Sequence, residues 1–138
     1  MPSENTEETA RRFIEALQAL ERDGEPRVEA MVALFGEGAT LTNAALKQAG
    51  AVRQGRDGAR AFWSEYARTF LGARTTFAQV THSDRAIGLF WSTSGPETDS
   101  RGGKVAALDY DGATLIELDE AGAIAHFHGY YDTRELTL

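Results

Sequence analysis

The spacing of apolar residues changes once along this chain, near Thr75, and that single switch limits the folds open to it. Before it the pattern is helical. Ala10, Phe13, Ile14, Leu17 and Leu20 recur three and four apart, with Arg11, Arg12, Glu15 and Gln18 between them. Asn5-Thr6-Glu7-Glu8 reads as the start of that helix, a capping side chain with a Glu three residues on, and Asp23-Gly24 as its end. Pro26 suits the first turn of a second, short helix carrying Val28, Met31, Val32, Leu34 and Phe35, closed by Gly36 and Gly38. Ala39 to Asn43 reads as a short strand. Ala44 to Gln54 has no clear period and reads as a loop, at most with a partial helical turn. Asp57 is placed to cap a third helix with Ala59, Phe62, Trp63, Tyr66 and Phe70 on one face, and Gly72 stops it.

Beyond the switch the residues read as strands. Arg74 to His82 and Arg85 to Ser94 are β-rich runs separated by a Ser83-Asp84 turn. Gly95 to Gly103 reads as a hairpin loop. Lys104 to Leu118 reads as a long strand bent near Asp111-Gly112, because Gly inside a strand often marks a bulge. Asp119 to Gly122 turns the chain into a last strand, Ala123 to Asp132. Helices followed by strands, without βαβ alternation, predict an α+β domain spanning 1–138: three N-terminal helices on a curved antiparallel sheet of four to six strands.

Composition removes several functions. With no cysteine there is no disulfide, thiolate nucleophile or Cys-based zinc site. A net charge of -7, with 14 basic residues scattered among 21 acidic ones, argues against nucleic acid, which needs clustered Lys and Arg. No apolar run approaches the ~20 residues of a membrane span. The polar, acidic stretch Met1 to Glu8 is unlike a secretory or transit leader, so a soluble cytoplasmic protein is expected. Neither a phosphate-cradling Gly loop nor a P-loop lysine is present, and no cofactor is expected.

Four stretches resemble the nuclear-transport-factor-2-like (SnoaL-like) superfamily, which includes ketosteroid isomerase, limonene-epoxide hydrolase and polyketide cyclases. They are Ala33 to Leu41, Gly55-Arg56-Asp57-Gly58-Ala59, Gly122-Ala123-Ile124, and Tyr130-Tyr131-Asp132-Thr133-Arg134-Glu135. The resemblance implies a cystatin-like cone with a pocket between the concave sheet face and the helices, and a homodimer formed through the sheet's outer face. It does not imply one activity, since this fold hosts enzymes, carriers and interaction modules.

A four-residue turn at 119–122 would pair Leu118 with Ala123, Thr114 with Phe127, Gly112 with Gly129 and Tyr110 with Tyr131. Those residues then share one face, concave in the family, while Leu115, Glu117, Ile124, His126, His128 and Asp132 take the other. The predicted pocket is lined by Leu41, Asn43, Trp63, Tyr66, Trp91, Thr114, Ile116, Phe127, Gly129 and Tyr131, an apolar lining with a few polar points of the kind that holds small molecules. The indole N–H of Trp63 and the phenol of Tyr66 need polar partners when buried, and a ligand oxygen could be one.

Carried onto this chain, the family's catalytic positions are depleted. The isomerase base position holds Asn43, its tyrosine donor position Phe13 and its protonated-carboxyl position Thr114. An amide cannot accept a proton near neutrality and a phenyl ring offers no hydrogen bond, so steroid isomerisation is not expected. The hydrolase's last-strand Asp position holds Gly129, and Trp91 to Ser94 contains neither its Arg nor its second Asp. The cyclase acid and His positions hold Gly129 and Phe127. The catalytic candidates that remain are Asn43, Tyr131 and Asp109, the last only if a bend at Gly112 turns it inward. His126 and His128 share a face and could chelate an ion with a third ligand such as Glu117 or Asp111, but on an outer face they are solvent or contact residues, and no metal is expected. Two uses therefore stand open: a cofactor-independent isomerase, hydrolase or cyclase for an apolar oxygenated metabolite, or a non-catalytic binding or dimerisation module.

Overall fold

The computed structural model describes residues 2–95 and 109–134, with side chains from residue 6 onward. Helix α1 runs Pro2–Asp23, a 3-10 turn covers Glu25–Arg27, and α2 is Val28–Val32. Strand β1 (Phe35–Asn43), α3 (Ala44–Gln48), β2 (Arg53–Gln54) and α4 (Gly55–Thr69) follow. The remaining strands are β3 (Arg74–His82), β4 (Ala86–Ser94), β5 (Asp109–Leu118) and β6 (Ile124–Tyr131). They form one six-stranded sheet in the order β2-β1-β6-β5-β4-β3. The α+β expectation holds with one change: β1 lies parallel to β6, so the sheet is mixed rather than wholly antiparallel.

Several local expectations shift, each for a physical reason. Asn5-Thr6 does not start α1, which is already helical at Pro2; Thr6 is fully buried and donates its hydroxyl proton to Ser83 O, tying the helix to the β3–β4 turn. Phe35 belongs to β1, not to the second helix, because its ring is buried against the sheet's core. The stretch after Asn43 is ordered as α3 and β2: the Asn43 carboxamide oxygen accepts from Leu46 N at 2.8 Å and caps α3. Asp57 sits inside the first turn of α4 and pairs with Arg60 instead of capping. The predicted hairpin loop after Gly95 and the start of the long strand at Lys104 lie largely outside the described residues.

The concave face rests on the geometry of β5 and β6. Gly112 carries no bulge, since β4 and β5 pair without interruption from Ala86–Glu117 to Ser94–Asp109. Gly is there because of crowding: an added Cβ would overlap the Trp91 ring and stand 2.5 Å from Tyr130 O. The irregularity is at the other strand. Leu118 pairs with Ile124, but Glu117 already pairs with His126, so Ala125 is an extra residue. The turn is also one residue longer than predicted, with Leu118 opposite Ile124 in place of Ala123, and together the two shifts offset the ladder by two, with Thr114 opposite Gly129 and Gly112 opposite Tyr131. An even offset keeps Phe127, Gly129 and Tyr131 on the inner face. Ile124, on the near side of the bulge, turns inward and is fully buried, contrary to its predicted outer position.

Helices α1, α2 and α4 cover that inner face. Their apolar stripes meet the sheet in one core, centred on Phe127, whose ring lies 5.3 Å from Trp63, 5.4 Å from Phe62 and 5.8 Å from Phe13 between centroids. Among the described residues no helix is long and apolar enough to cross a membrane.

Candidate functional site

Between α1, α4 and the inner face of β3–β6 lies a cavity of about 80 Å³. Its walls are chiefly aromatic. Helix α1 supplies Phe13 and Leu17, α4 supplies Phe62, Trp63 and Tyr66 with Phe70 at its end, and the sheet adds Phe77, Trp91, Tyr110, Phe127 and Tyr131. Polar atoms enter from Asn43, Thr75, Thr93 and Thr114, and Gly129 leaves part of the floor open.

Of the ten residues singled out for a ligand pocket, Asn43, Trp63, Tyr66, Trp91, Thr114, Phe127, Gly129 and Tyr131 border this cavity. Leu41 and Ile116 do not; both are fully buried in the core beneath it. Of the catalytic candidates, Asn43 and Tyr131 line the cavity, but the Asn43 oxygen already caps α3. Asp109 is exposed, on the opposite side of β5 from buried Tyr110, because the unbroken β4–β5 ladder leaves no bend to turn it in. Asp111 shares its side and accepts from Ser92 Oγ at 2.6 Å.

Two polar features distinguish the cavity walls. The Trp91 indole N–H donates to Thr114 Oγ1 at 2.9 Å, whereas the Trp63 indole N–H, on a ring only 1 % exposed, has no partner. Among the described residues the only other buried side-chain nitrogen or oxygen in that condition is Nε of Arg53. A buried N–H left unpaired costs roughly 1–3 kcal/mol, so an acceptor beside Trp63 would be favoured.

The second feature went unread in the sequence. Glu21, near the end of α1, is 2 % exposed and accepts three hydrogen bonds: from Tyr66 OH at 2.7 Å, from Thr75 N at 3.1 Å, and from Thr75 Oγ1. Thr75 spends its only hydroxyl proton on Glu21, so the 2.7 Å contact between Thr75 Oγ1 and Thr93 Oγ1 has Thr93 as donor. Burial pushes the Glu21 carboxyl above its ordinary range, against the pull of these donors. The Tyr66 phenol is pushed well up by burial and by the neighbouring Glu21 charge. Burial likewise raises Tyr110 and Tyr131, so these phenols keep their protons. One signal was present: Glu21 is four residues past Leu17, a charged group on an otherwise apolar helical stripe.

The outer face is different in character. His126 bonds Thr40 Oγ1 through Nδ1 at 2.8 Å, and His128 stacks on Tyr130 at 3.9 Å. Among the described residues, no group of three His, Cys, Asp or Glu is placed to hold a metal ion. Asp132 is bound by Arg134 through its backbone and guanidinium, which holds its carboxyl down at about 2.

A curved mixed sheet closed by helices over an aromatic cavity is the architecture of the nuclear-transport-factor-2-like fold. The SnoaL-like domain family matches residues 10–127, and the chain belongs to that family. Solved structures agree in fold. The epoxide hydrolase/cyclase-like enzyme SalBIII of pyran-ring formation in the polyether salinomycin superposes with a TM-score of 0.72 at 14% identity, over 98% of this chain and 97% of that one. A candidate polyketide cyclase from Xanthomonas campestris gives 0.71 at 16% identity, over 99% and 96%. An NTF2-like protein of unknown function from Cytophaga hutchinsonii gives 0.65 at 17% identity, over 95% and 93%. No curated protein matches the sequence.

Proposed function

We propose that this chain is a cofactor-independent enzyme acting on a small, apolar, oxygen-bearing molecule, by isomerisation, hydrolysis or cyclisation. The observation that carries this reading is an aromatic cavity lined by Trp63, whose buried N–H has no partner, together with the hydroxyl-bearing residues Tyr66, Thr75, Thr93 and Thr114. Aromatic walls with a few oriented polar groups recognise a ligand by shape and fix it by one or two hydrogen bonds. A carbonyl, ether or phenol oxygen accepting from Trp63 would satisfy the orphan donor and orient the rest of the molecule. The cyclase- and hydrolase-like proteins among the fold neighbours support the reaction class.

A binder without chemistry is the second reading, favoured by the lack of any carboxylate or imidazole among the described residues that line the cavity. A thermal-shift panel of cyclic ketones, lactones and phenols, followed by mass spectrometry of the recovered compounds, separates the two. The enzyme reading expects stabilisation and a changed compound; stabilisation with every compound recovered intact contradicts it and favours the binder. Gly129→Ala belongs in the same experiment. Its new Cβ meets only Asn43 Cβ at 3.5 Å and Phe127 at 3.9 Å, ordinary contacts, so the fold tolerates it while the cavity shrinks. Ligand-induced stabilisation should fall in this variant with the unliganded melting temperature nearly unchanged; equal stabilisation would place the ligand elsewhere.

A further inference from the structure

A buried carboxylate usually has a cation beside it. Among the described residues no ion pair joins Glu21, and no cation contributes to its shifted affinity for protons. The titratable groups near it are Tyr66 on α4 and Tyr110 on β5, with Tyr131 on β6 next to Tyr110, and all are neutral phenols. Burying an unpaired charge costs several kcal/mol even after relaxation, and a neutral side chain would join α1 to β3 at less cost. Its Oε2 is met by Tyr66 and by Thr75 Oγ1, and both of those residues line the cavity.

We propose that Glu21 is the proton store of the cavity and that Tyr66 is the catalytic residue through which a bound ligand reaches it. The proposal deepens the enzyme reading and rests on it. In the step, an acidic C–H or O–H of the ligand gives its proton to the Tyr66 oxygen while Tyr66 gives its own proton to Glu21 Oε2. Glu21 changes from carboxylate to carboxylic acid, Tyr66 is a neutral phenol before and after, and the ligand keeps the electron pair of the broken bond. The reverse transfer returns the proton to another atom of the same ligand, which makes the pair an isomerase or cyclase device needing no cofactor. A phenol that never ionises suits a relay, and its raised affinity for the proton agrees with that role. Thr93 donating to Thr75, and Thr75 to Glu21, holds the carboxylate in place.

The wild-type protein can be tested with a nitrobenzisoxazole, a flat, oxygen-bearing probe that opens once a base removes its ring C–H. The released pair forms the nitrile, the N–O bond breaks, and a coloured cyanonitrophenolate leaves. Quenching of Trp63 and Trp91 emission reads binding separately from absorbance, which reads elimination. The expected result is acceleration of at least about tenfold over buffer, a modest part of what positioned proton transfer supplies. The rate should rise with pH through one ionisation above the ordinary carboxylate range, because only the ionised store accepts a proton. Glu21→Gln and Tyr66→Phe should each lose about tenfold or more of that acceleration while binding the probe within about threefold. Tyr66→Phe keeps both Thr75 bonds to Glu21 and guards against a Glu21→Gln protein that folds poorly. Probe that binds but is not accelerated, or acceleration that survives either substitution, overturns the relay and leaves the cavity reading standing. Failure of the probe to bind contradicts the cavity reading and the relay together.

Discussion

Phe127→Ala should cost about 3–5 kcal/mol of folding stability, the range for deleting a buried aromatic ring. The ring is 5 % exposed and meets four others: Phe13, Phe35, Phe62 and Trp63. These join α1, β1 and α4 to β6, so no single neighbour can move in to refill the space without leaving its own contacts. Tilted and edge-on arrangements add to the loss, at about 0.5–1.5 kcal/mol per good pair. Chemical denaturation with unchanged slope and a lower midpoint would report this. A loss under about 1 kcal/mol, well below that range, would show that the aromatic cluster is not the centre of the core.

Gly112→Ala is the second large effect, and it acts by overcrowding. The inserted methyl meets the Trp91 ring on one side and Tyr130 O on the other, and the latter is backbone in a central strand of the sheet. A flexible tip could swing away; a carbonyl held between β5 and β6 cannot do so without breaking the ladder. Overpacking of this kind costs about 1–3 kcal/mol and sometimes more, exceeding the ~0.4–1 kcal/mol returned by a stiffer unfolded chain. Trp91 would also be levered from Thr114, so a lower melting temperature should come with altered tryptophan emission. An unchanged melting temperature would mean that the close approach at Gly112 is not fixed in the folded protein.

How much of this was legible in the sequence follows from where the deciding interactions lie. Periodicity is local, so the α1 stripe and the bounds of Arg74–His82 could be read directly. Face assignment along β6 survives because two single-residue shifts add to an even one: the turn pairs Leu118 with Ile124 in place of Ala123, and the bulge at Ala125 adds the second, so only Ile124, between them, changes face. Gly112 was read as a bulge because a bulge and a close packing contact both ask for Gly, and a sequence does not separate them. Leu41 and Ile116 share a face with residues that border the cavity but are fully buried in the core, a distinction of depth that alternation cannot express. Asn43 was placed beside the cavity, yet its second role as the cap of α3 depends on Leu46 folding back over it. Glu21 was visible as a charge on an apolar stripe, but its partners Tyr66 and Thr75 are 45 and 54 residues away and meet it only in the folded chain.

The account stands on an oxygen-bearing ligand reaching an indole that the folded protein leaves unpaired. Two-dimensional nitrogen–proton spectra should resolve the two indoles, since Trp63 has no partner and Trp91 is held by Thr114. On titration with indanone, the Trp63 indole proton should move downfield and saturate, the mark of a new hydrogen bond, while the Trp91 proton moves little. A Trp63 resonance that stays fixed while indanone binds, or indanone that leaves both indoles untouched, would contradict it.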